Sequence, residues 1–328
     1  MPAEWETHER TWMAWPPANL ALGETDDEAR QAYGAWSAVA NAIVAFEPVT
    51  MVVDPRDLDA AKEFLDPRVE LVFTDLDDAW MRDMGPTFVR ADNGDLHGVD
   101  WIFNGWGAQH WAKWDHDQDV APYVLDQAGV PAVPSLIVNE GGGIHVNGQG
   151  TVLLTETVQL DPGRNPELTK ADIEAELART LGVSNFVWLK RGLTRDYETF
   201  GTRGHVDILA AFSDATTILY HDQQNPEHPD FEVSREIREV LEQTEFTLIP
   251  VPAPQRIEDE HGFVDQGYIN HYICNGAVIM CTFDDPNDVV VAEMFKEIYP
   301  GRQIVGVDAR EIFVRGGGIH CITQQQPA

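Results

Sequence analysis

The sequence predicts an α/β fold built as a pseudo-symmetric array of five similar units within one domain, residues 1–328. Three features recur along the chain. Turn-forming pairs lie between short apolar runs, a polar stretch with helical character follows each pair, and another apolar run follows each helix. The turn pairs recur roughly every 60 residues, as expected for a repeat architecture. They are Asn93-Gly94, Asn147-Gly148, Ser213-Asp214 and Asn275-Gly276.

Each unit is therefore predicted to consist of a hairpin, a helix and a strand. The predicted helices cover 117–128, 166–180, 230–242 and 286–298. The strands that follow them are Ala132–Val138, Asn185–Leu189, Phe246–Val251 and Gln303–Val307. Short apolar runs bounded by turn signals are typical of buried strands.

A fifth unit is predicted to join the two ends of the chain. Residues 26–46 carry apolar residues at the i, i+3, i+4 spacing of an amphipathic helix. The other predicted pieces are the strands Val49–Val53 and Val69–Phe73, the helix Leu58–Phe64 and a closing strand in Gly316–Thr323. Closed arrays of this kind leave few sheet edges exposed. The polar stretch 252–268 is predicted to be a loop and a candidate lid.

Composition narrows the class of partner. There are 22 Lys and Arg residues against 55 Asp and Glu, so the net charge is −33. Phosphate contacts need basic patches, so a nucleic-acid partner is not expected. An acidic surface keeps the protein soluble and also attracts a cationic substrate. The sequence has no apolar run long enough to span a membrane and begins without a signal-peptide pattern, which predicts a cytoplasmic protein.

The three cysteines differ in their surroundings. Cys274 and Cys281 lie in the apolar hairpin predicted at 272–283 and are expected to be small core residues. Cys321 instead follows three glycines and His320, and glycines allow a close approach of backbone to a ligand. Cys321 is therefore the candidate nucleophile, although a free cysteine on an edge strand would look the same. The sequence contains no Cys-x-x-Cys pair, so a structural zinc site is not predicted.

A thiol nucleophile needs a proton shuttle, and His205 is the best candidate. His205 and Asp207 are two residues apart, so on a strand their side chains would face the same side. An imidazole and a carboxylate pointing together suit acid–base work on a cation. The alternative is a salt-linked pair on the surface. His145 and His320, each in a Gly-Gly-Gly-Ile-His repeat, are expected to be structural.

Two further acidic residues have a suggestive setting. Asp83 lies in the segment Trp80–Pro86, where it could serve as a turn residue or line a site in which Trp80 stacks on a planar cation. Glu140, just before the first glycine repeat, is a third inward-pointing candidate. One cysteine, one histidine and several acids suit a guanidinium substrate, because this planar cation pairs with carboxylates through two hydrogen bonds.

At these residues the sequence resembles the agmatine deiminase family, which also contains bacterial-type peptidyl-arginine deiminases. The matching segments spread over nearly the whole chain, and the C-terminal Gly-Gly-Ile-His-Cys-Ile-Thr-Gln-Gln-Gln-Pro is the most specific. They are 1–16, 82–89, 101–107, 140–156, 204–212, 268–280 and 316–327. The resemblance implies the five-bladed α/β propeller (pentein) fold of the guanidine-modifying enzymes, in agreement with the repeat count.

The resemblance also implies a role for each candidate residue. Cys321 attacks the guanidinium carbon, His205 protonates the departing ammonia and then activates water, and Asp83 and Asp207 hold the guanidinium nitrogens. Substrate binding is assigned to Trp80, Glu140, Arg203 and Asn270. The implied reaction converts agmatine to N-carbamoylputrescine and ammonia in polyamine (putrescine) biosynthesis, with no metal or organic cofactor. The only partner implied is a small cationic guanidino substrate, and a homodimer is allowed.

Some positions depart from the family pattern and leave other substrates open. Ile208 follows Asp207 where the family has Asn, Gly318 stands where the family has Asn, and the segment before His205 does not match. Arg203 is unexpected beside an agmatine pocket and could receive the carboxylate of free arginine. Peptidyl arginine, amidino transfer to an amine, and a non-catalytic guanidine- or polyamine-binding protein are further readings. A zinc hydrolase using His205, His320 and Cys321 is disfavoured, because adjacent residues on a strand point to opposite faces.

Overall fold

A repeated unit of hairpin, helix and parallel strand occurs four times in this computed structural model, which describes residues 1–19, 22–23, 25–259 and 262–328. In each unit an antiparallel pair of strands is extended by a third strand that runs parallel to the second. The four units, in chain order, are Thr87–Arg90, Leu96–Ile102, helix Val120–Ala128 and Ala132–Val138; Ile144–Val146, Thr151–Thr155, helix Lys170–Leu181 and Asn185–Leu189; Ala210–Asp214, Thr217–Asp222, helix Asp230–Leu241 and Thr247–Pro252; and Tyr272–Cys274, Ala277–Thr282, helix Asn287–Ile298 and Gln303–Asp308.

A fifth sheet joins the two ends of the chain. Its strands lie in the order Gln324–Pro327, His8–Ala14, Val49–Val53 and Glu70–Phe73, with the first pair antiparallel and the others parallel. The helices Asp26–Ile43 and Leu58–Phe64 connect its parallel strands. The described residues thus form a mixed α/β fold of several small sheets, in agreement with the predicted class.

The position predicted for the closing strand is wrong. Gly316–Thr323 forms turns, and the strand is Gln324–Pro327, whose four residues are all buried. Three consecutive glutamines do not look like a buried strand, but the side chains of the first and third find partners there. Gln324 accepts from Arg82 Nη1 (2.7 Å) and donates to the Pro86 carbonyl (2.7 Å), and Gln326 accepts from Trp12 Nε1 (2.9 Å). Buried polar groups satisfied in this way are tolerated in a core.

Other predicted boundaries shift by a few residues; the helices predicted at 166–180 and 26–46, for example, are Lys170–Leu181 and Asp26–Ile43. The third hairpin turns at residues 215–216, after a strand that includes Ser213 and Asp214, so the turn lies slightly later than predicted. The predicted loop 252–268 contains a small ribbon formed by Glu258–Asp259 and Gly262–Phe263. Residues 260 and 261, which belong to the same predicted loop, lie outside the described residues.

Amphipathic helices cover the sheets and close the core. Along Asp230–Leu241 the residues Val233, Ile237 and Leu241 are buried together with the apolar strand residues beside them. Burying one such side chain contributes about 1.5–3 kcal/mol. Thr169 starts the preceding helix with a capping box, in which its side chain accepts from the Asp172 N–H while Asp172 accepts from the Thr169 N–H. Among the described residues, no helix combines the length and the apolar character needed to cross a membrane.

Short turns and one-turn helices connect the longer elements. The one-turn helices are Met81–Met84, Gly105–Ala108, Glu156–Gln159 and Arg310–Phe313, and the 3-10 turns are Pro55–Asp57, Asp117–Asp119, Gly141–Gly143, Arg195–Tyr197 and Val206–Ile208. Asp83, Glu140, His205, Asn270 and Cys321 each lie just before the edge strand that forms the antiparallel pair of a different sheet. The repeat therefore brings one candidate residue from every unit to equivalent positions.

Candidate active site

Cys321 lies in a buried turn immediately before the last strand, and its side chain contacts two other candidate residues. The thiol is 3.5 Å from Asp207 Oδ2, and Asn270 Nδ2 donates to the sulfur at 3.3 Å. The Gly318 N–H points to the same sulfur at 3.5 Å. Burial raises the pKa of the Cys321 thiol well above its usual range, and the carboxylates of Asp207 and Asp83 raise it further. The thiol therefore carries its proton until a positive charge comes close.

His205 lies between carboxylates that favour its charged form. Its Nε2 is 3.2 Å from Glu140 Oε2, and its Nδ1 is 3.7 Å from Asp83 Oδ1, too far for a hydrogen bond. Burial lowers the pKa of His205, but Asp83 and Glu140 outweigh it and raise that pKa to about 9. At neutral pH the ring is an imidazolium whose Nδ1–H has no hydrogen-bond partner in the structure. That proton is available for transfer.

Asp83 is held in position by one backbone donor and one side-chain donor. The Gly142 N–H donates to its Oδ1 at 3.1 Å, and Trp106 Nε1 donates to its Oδ2 at 2.9 Å. Burial raises the pKa of Asp83 to about 6, with the His205 charge acting against burial and the other carboxylates adding to it. A carboxyl with such a pKa ionises readily when a cation binds.

Asp207 remains ionised although it is fully buried. Its Oδ2 accepts from His320 Nδ1 at 2.8 Å, while its Oδ1 is buried without any hydrogen-bond partner. Burial raises the pKa of Asp207, but His320 and His205 more than compensate, so that pKa lies below its ordinary value. A buried carboxylate oxygen without a donor is costly and rarely left so. Asp207 Oδ1 is therefore prepared to accept a donor from a bound molecule.

One glycine marks the point where these groups converge. A Cβ added at Gly142 would lie 2.5 Å from His205 Nδ1, 2.9 Å from Asp83 Oδ1 and 3.1 Å from Asp207 Oδ2. The three side chains therefore meet over the bare Cα of this residue. In the second glycine repeat, a Cβ at Gly317 would lie 2.8 Å from the Trp80 ring and 3.0 Å from Cys321 Sγ. The repeated glycines thus leave room for the reactive groups.

His205 and Asp207 do not lie on one face of a strand, so that prediction is wrong. The two residues belong to the 3-10 turn Val206–Ile208 and its N-cap, and the strand begins only at Ala210. They converge because this turn packs against Gly141–Gly143. The adjacent residues His320 and Cys321 were predicted to point to opposite faces of a strand, which is also wrong. They lie in a turn, and both side chains reach Asp207 Oδ2.

The remaining predicted residues lie at different distances from this centre. Trp80 is buried beside Gly317 and packs edge-to-face on Trp36, with ring centroids 5.5 Å apart. Asn270 contacts the Cys321 sulfur directly. Glu140 lies behind His205, bound by Arg164 through contacts of 2.9 and 3.0 Å. Arg203 pairs with Asp161 at 3.0 Å, and its side chain is 37% exposed.

The cysteines predicted to be core residues are confirmed as such. Cys274 and Cys281 are both fully buried within the hairpin, and burial raises the pKa of each thiol to about 12. Such thiols stay protonated and react slowly at neutral pH.

Several residues of the site were missed by sequence reasoning. Trp106 binds Asp83, Arg164 binds Glu140, and Glu4 binds His320. His320, which was expected only to be structural, also binds Asp207. Trp106 and Glu4 fall in segments that resemble the family, so the resemblance was an available signal. Arg164 gave none, because a lone arginine in a polar stretch is usually exposed.

Comparisons with known proteins show the family of this chain. The family described as Porphyromonas-type peptidyl-arginine deiminase matches residues 1–327. A Streptomyces coelicolor relative is 52% identical over all of this chain and 98% of its own length. Agmatine deiminase of Stutzerimonas stutzeri is 38% identical, over all of this chain and 95% of that protein. The solved agmatine deiminase of Enterococcus faecalis superposes with a TM-score of 0.92 and 32% identity, covering 100% of this chain and 95% of that one.

Proposed function

Because this chain belongs to the Porphyromonas-type peptidyl-arginine deiminase family, we propose that it hydrolyses agmatine to N-carbamoylputrescine and ammonia. The observation that carries the proposal is the convergence of His205, Asp83 and Asp207 on Gly142, with Cys321 against Asp207. This set offers a nucleophile, a proton donor and two acceptors for a cation. The names of the Stutzerimonas and Enterococcus relatives favour agmatine as the substrate.

Binding begins with the two carboxylates. The unpartnered Oδ1 of Asp207 accepts an N–H of the guanidinium, and Asp83 accepts another. Two carboxylates on one planar cation fix both its position and its plane. Trp80, beside Cys321, flanks the bound group. The cation also brings positive charge next to the thiol, which counteracts the carboxylates that raise the pKa of Cys321.

The chemistry then follows in two halves. Cys321 loses its proton to solvent, and the thiolate forms a C–S bond to the guanidinium carbon while one C=N pair moves onto nitrogen. His205 gives its Nδ1 proton to the departing nitrogen, the C–N bond breaks and ammonia leaves, so that a cationic amidino thioether remains. Neutral His205 then takes a proton from water, and the resulting hydroxide adds to the same carbon. The C–S bond breaks, the hydroxyl proton returns to sulfur, and the ureido product leaves.

Glu140 and Arg203 receive modified assignments in this proposal. Glu140 holds His205 through Nε2 and is itself neutralised by Arg164, an interaction that lowers the pKa of Glu140 to about 2 although burial opposes it. We assign it to the orientation of His205. Arg203 is engaged by Asp161, which leaves it poorly suited to binding the carboxylate of free arginine. Deimination of free or peptidyl arginine therefore rests on the family description alone.

The finer description of the fold is also part of the proposal. Each of the five sheets has one site residue in the segment before the edge strand of its antiparallel pair. This arrangement supports a five-bladed α/β propeller in a single domain with the site on its axis. Three free cysteines fit a reducing compartment, so the cytoplasm remains the expected location. The homodimer remains a prediction from the sequence.

A substrate panel tests the proposed function. The purified protein is incubated separately with agmatine, free arginine, an arginine-containing peptide and a small guanidino acid, and ammonia and ureido product are measured. Turnover of agmatine well above the others is expected. Preferred turnover of arginine or peptide would overturn the substrate, and a folded, reduced protein that turns over none of them would overturn the enzymatic proposal.

A further inference from the structure

His320 lies between two buried carboxylates, one of which belongs to the candidate active site. Its Nδ1 is 2.8 Å from Asp207 Oδ2, and its Nε2 is 2.9 Å from Glu4 Oε1. Ionised carboxylates only accept hydrogen bonds, so both ring nitrogens must donate. The ring is then an imidazolium. Burial and Arg82 lower the pKa of His320, but Glu4 and Asp207 outweigh them and raise it.

Glu4, on the other side of this ring, lies close to an arginine and a second histidine. Arg82 Nη1 is 3.4 Å from Glu4 Oε1, and His145 Nε2 is 3.6 Å from Glu4 Oε2. Burial raises the pKa of Glu4, yet His320 and Arg82 bring it well below its ordinary value. Glu4, nearly 80 residues before Asp83 in the chain, is therefore a permanent carboxylate behind the site.

Glu4, His145 and His320 have ligand atoms close enough to one another to hold a metal ion, but their hydrogen bonds argue against one. Candidate ligand atoms of Glu4, His145 and His320 all lie within 4.8 Å of one another. The Phe212 N–H donates to His145 Nδ1 at 3.2 Å, so the proton of a neutral His145 ring is on Nε2 and no lone pair faces the cluster. His320 has no free lone pair either. Arg82 beside Glu4 already supplies a positive charge.

We propose that Glu4 and His320 form a buried relay of positioning residues, which holds Asp207 as a carboxylate with its Oδ1 free to accept the guanidinium. The relay rests on the proposed function, because Asp207 binds substrate only in that account. His320 acts on the site through one atom, because Asp207 Oδ2 contacts both His320 and Cys321. With Oδ2 bound by an imidazolium, the carboxylate cannot rotate or take a proton from the neighbouring thiol.

Other charged and titratable groups also act on this pair. Those acting on Asp207 are His205, Arg82, Asp83, Cys281 and Cys321, and those acting on His320 are Arg82, Glu4, His145 and His271. Of these, Glu4 is the group that contacts His320 on the side opposite Asp207. Removal of its charge should therefore weaken the imidazolium without touching the substrate.

The test compares Glu4→Gln with Glu47→Gln. Glu47 is a matched control because its side chain is also buried and bound to a histidine, His8. The Glu47 carboxylate also accepts from Thr11, Tyr272 and the Asn275 N–H. In the wild type, one protonation, that of Asp83, should limit kcat/KM for agmatine below about pH 6. In Glu4→Gln, the pKa of Asp207 should rise, because His320 loses its second carboxylate partner and holds its charge less firmly. The acid limb should then steepen by one proton, which adds up to about tenfold loss of kcat/KM for each pH unit over which Asp207 titrates.

Glu47→Gln should lose comparable stability but keep the wild-type shape of the profile. A uniform fall in activity of Glu4→Gln, parallel to the wild type at every pH, would mean that Glu4 is merely structural and would overturn the relay. One equivalent of divalent metal retained by the purified wild-type protein would also overturn it.

A second measurement tests the protonation of His320 directly. It remains decisive if Glu4→Gln does not fold or if the wild-type protein turns over no guanidine. In wild-type protein with nitrogen-15-labelled histidine, the His320 signals are identified by their loss in His320→Gln. Both ring nitrogens should be protonated at pH 7.5. A single protonated nitrogen would refute the relay whatever the enzyme's activity, so failure of the relay and failure of the proposed function are separate results.

Discussion

Replacement of Gly142 by alanine tests the site geometry with one added methyl group. The new Cβ would lie 2.5 Å from His205 Nδ1 and 2.9 Å from Asp83 Oδ1, distances that real Cβ atoms essentially never show. Gly142 does not have a positive φ, so the backbone itself accommodates alanine. The strain must therefore be relieved by moving the reactive side chains.

The neighbouring Gly143→Ala is a matched control. Its Cβ would lie 3.2 Å from Val158 Cγ1 and 3.4 Å from Asn139 Oδ1, which is tight but outside the reactive centre. Overpacking costs about 1–3 kcal/mol of folding free energy, so both variants should still fold. A displacement of about 1 Å at a reacting group costs about a hundredfold in rate.

Steady-state kinetics on agmatine, with chemical denaturation in parallel, give both quantities. Gly142→Ala should lose about a hundredfold in kcat/KM, while Gly143→Ala should stay within about threefold of the wild type. Equal activity of the two variants would refute the convergence of His205, Asp83 and Asp207 on Gly142. A large loss in Gly143→Ala alone would show that the reactive space lies elsewhere.

Three further predictions concern the charges of the site. Since burial and neighbouring carboxylates hold the pKa of Asp83 at about 6, kcat/KM should fall below that pH as the carboxyl takes a proton; a fall centred near pH 4 in the measured pH profile would contradict this. The folded-state pKa of His205 is raised to about 9 from an ordinary 6.5, so its stabilisation is fully present below pH 6.5 and is lost as the pH rises through 9. Urea unfolding should therefore show a decline of on the order of 3 kcal/mol across that window, and a His205→Gln variant with the same decline would contradict the assignment. Arg203→Ala should keep agmatine turnover within about threefold in steady-state assays, because Arg203 already binds Asp161; a large selective loss with free arginine would instead make Arg203 a carboxylate receptor.

Much of the fold is predictable because its signals are local. Asn-Gly turns and apolar runs act over a few residues, and the predicted strands Val49–Val53 and Asn185–Leu189 match the structure residue for residue. Because these local signals recur along the chain, the repeated unit of hairpin, helix and strand can be identified by comparing its copies. The closing strand was misplaced because pairing of Gln324–Pro327 with His8–Ala14 joins residues more than 300 positions apart.

The site was predictable only in part, for a related reason. Cys321 and His205 have unusual glycine-rich neighbours, which single them out locally. Arg164 and Glu4 do not, since isolated charged residues are usually exposed. Both are buried because their charges are compensated by residues brought close by the fold: Glu140 and Asp161 around Arg164, and Arg82 and His320 around Glu4. No local pattern reports such a pairing.

The central claim is that Cys321 forms a covalent bond to the guanidinium carbon. Protein mixed with agmatine is quenched in acid within milliseconds to seconds, digested and analysed by mass spectrometry. We expect a transient amidino adduct on the peptide that contains Cys321, none on those with Cys274 or Cys281, and no turnover by Cys321→Ala. Product formation without any adduct, together with turnover by Cys321→Ala, would contradict it.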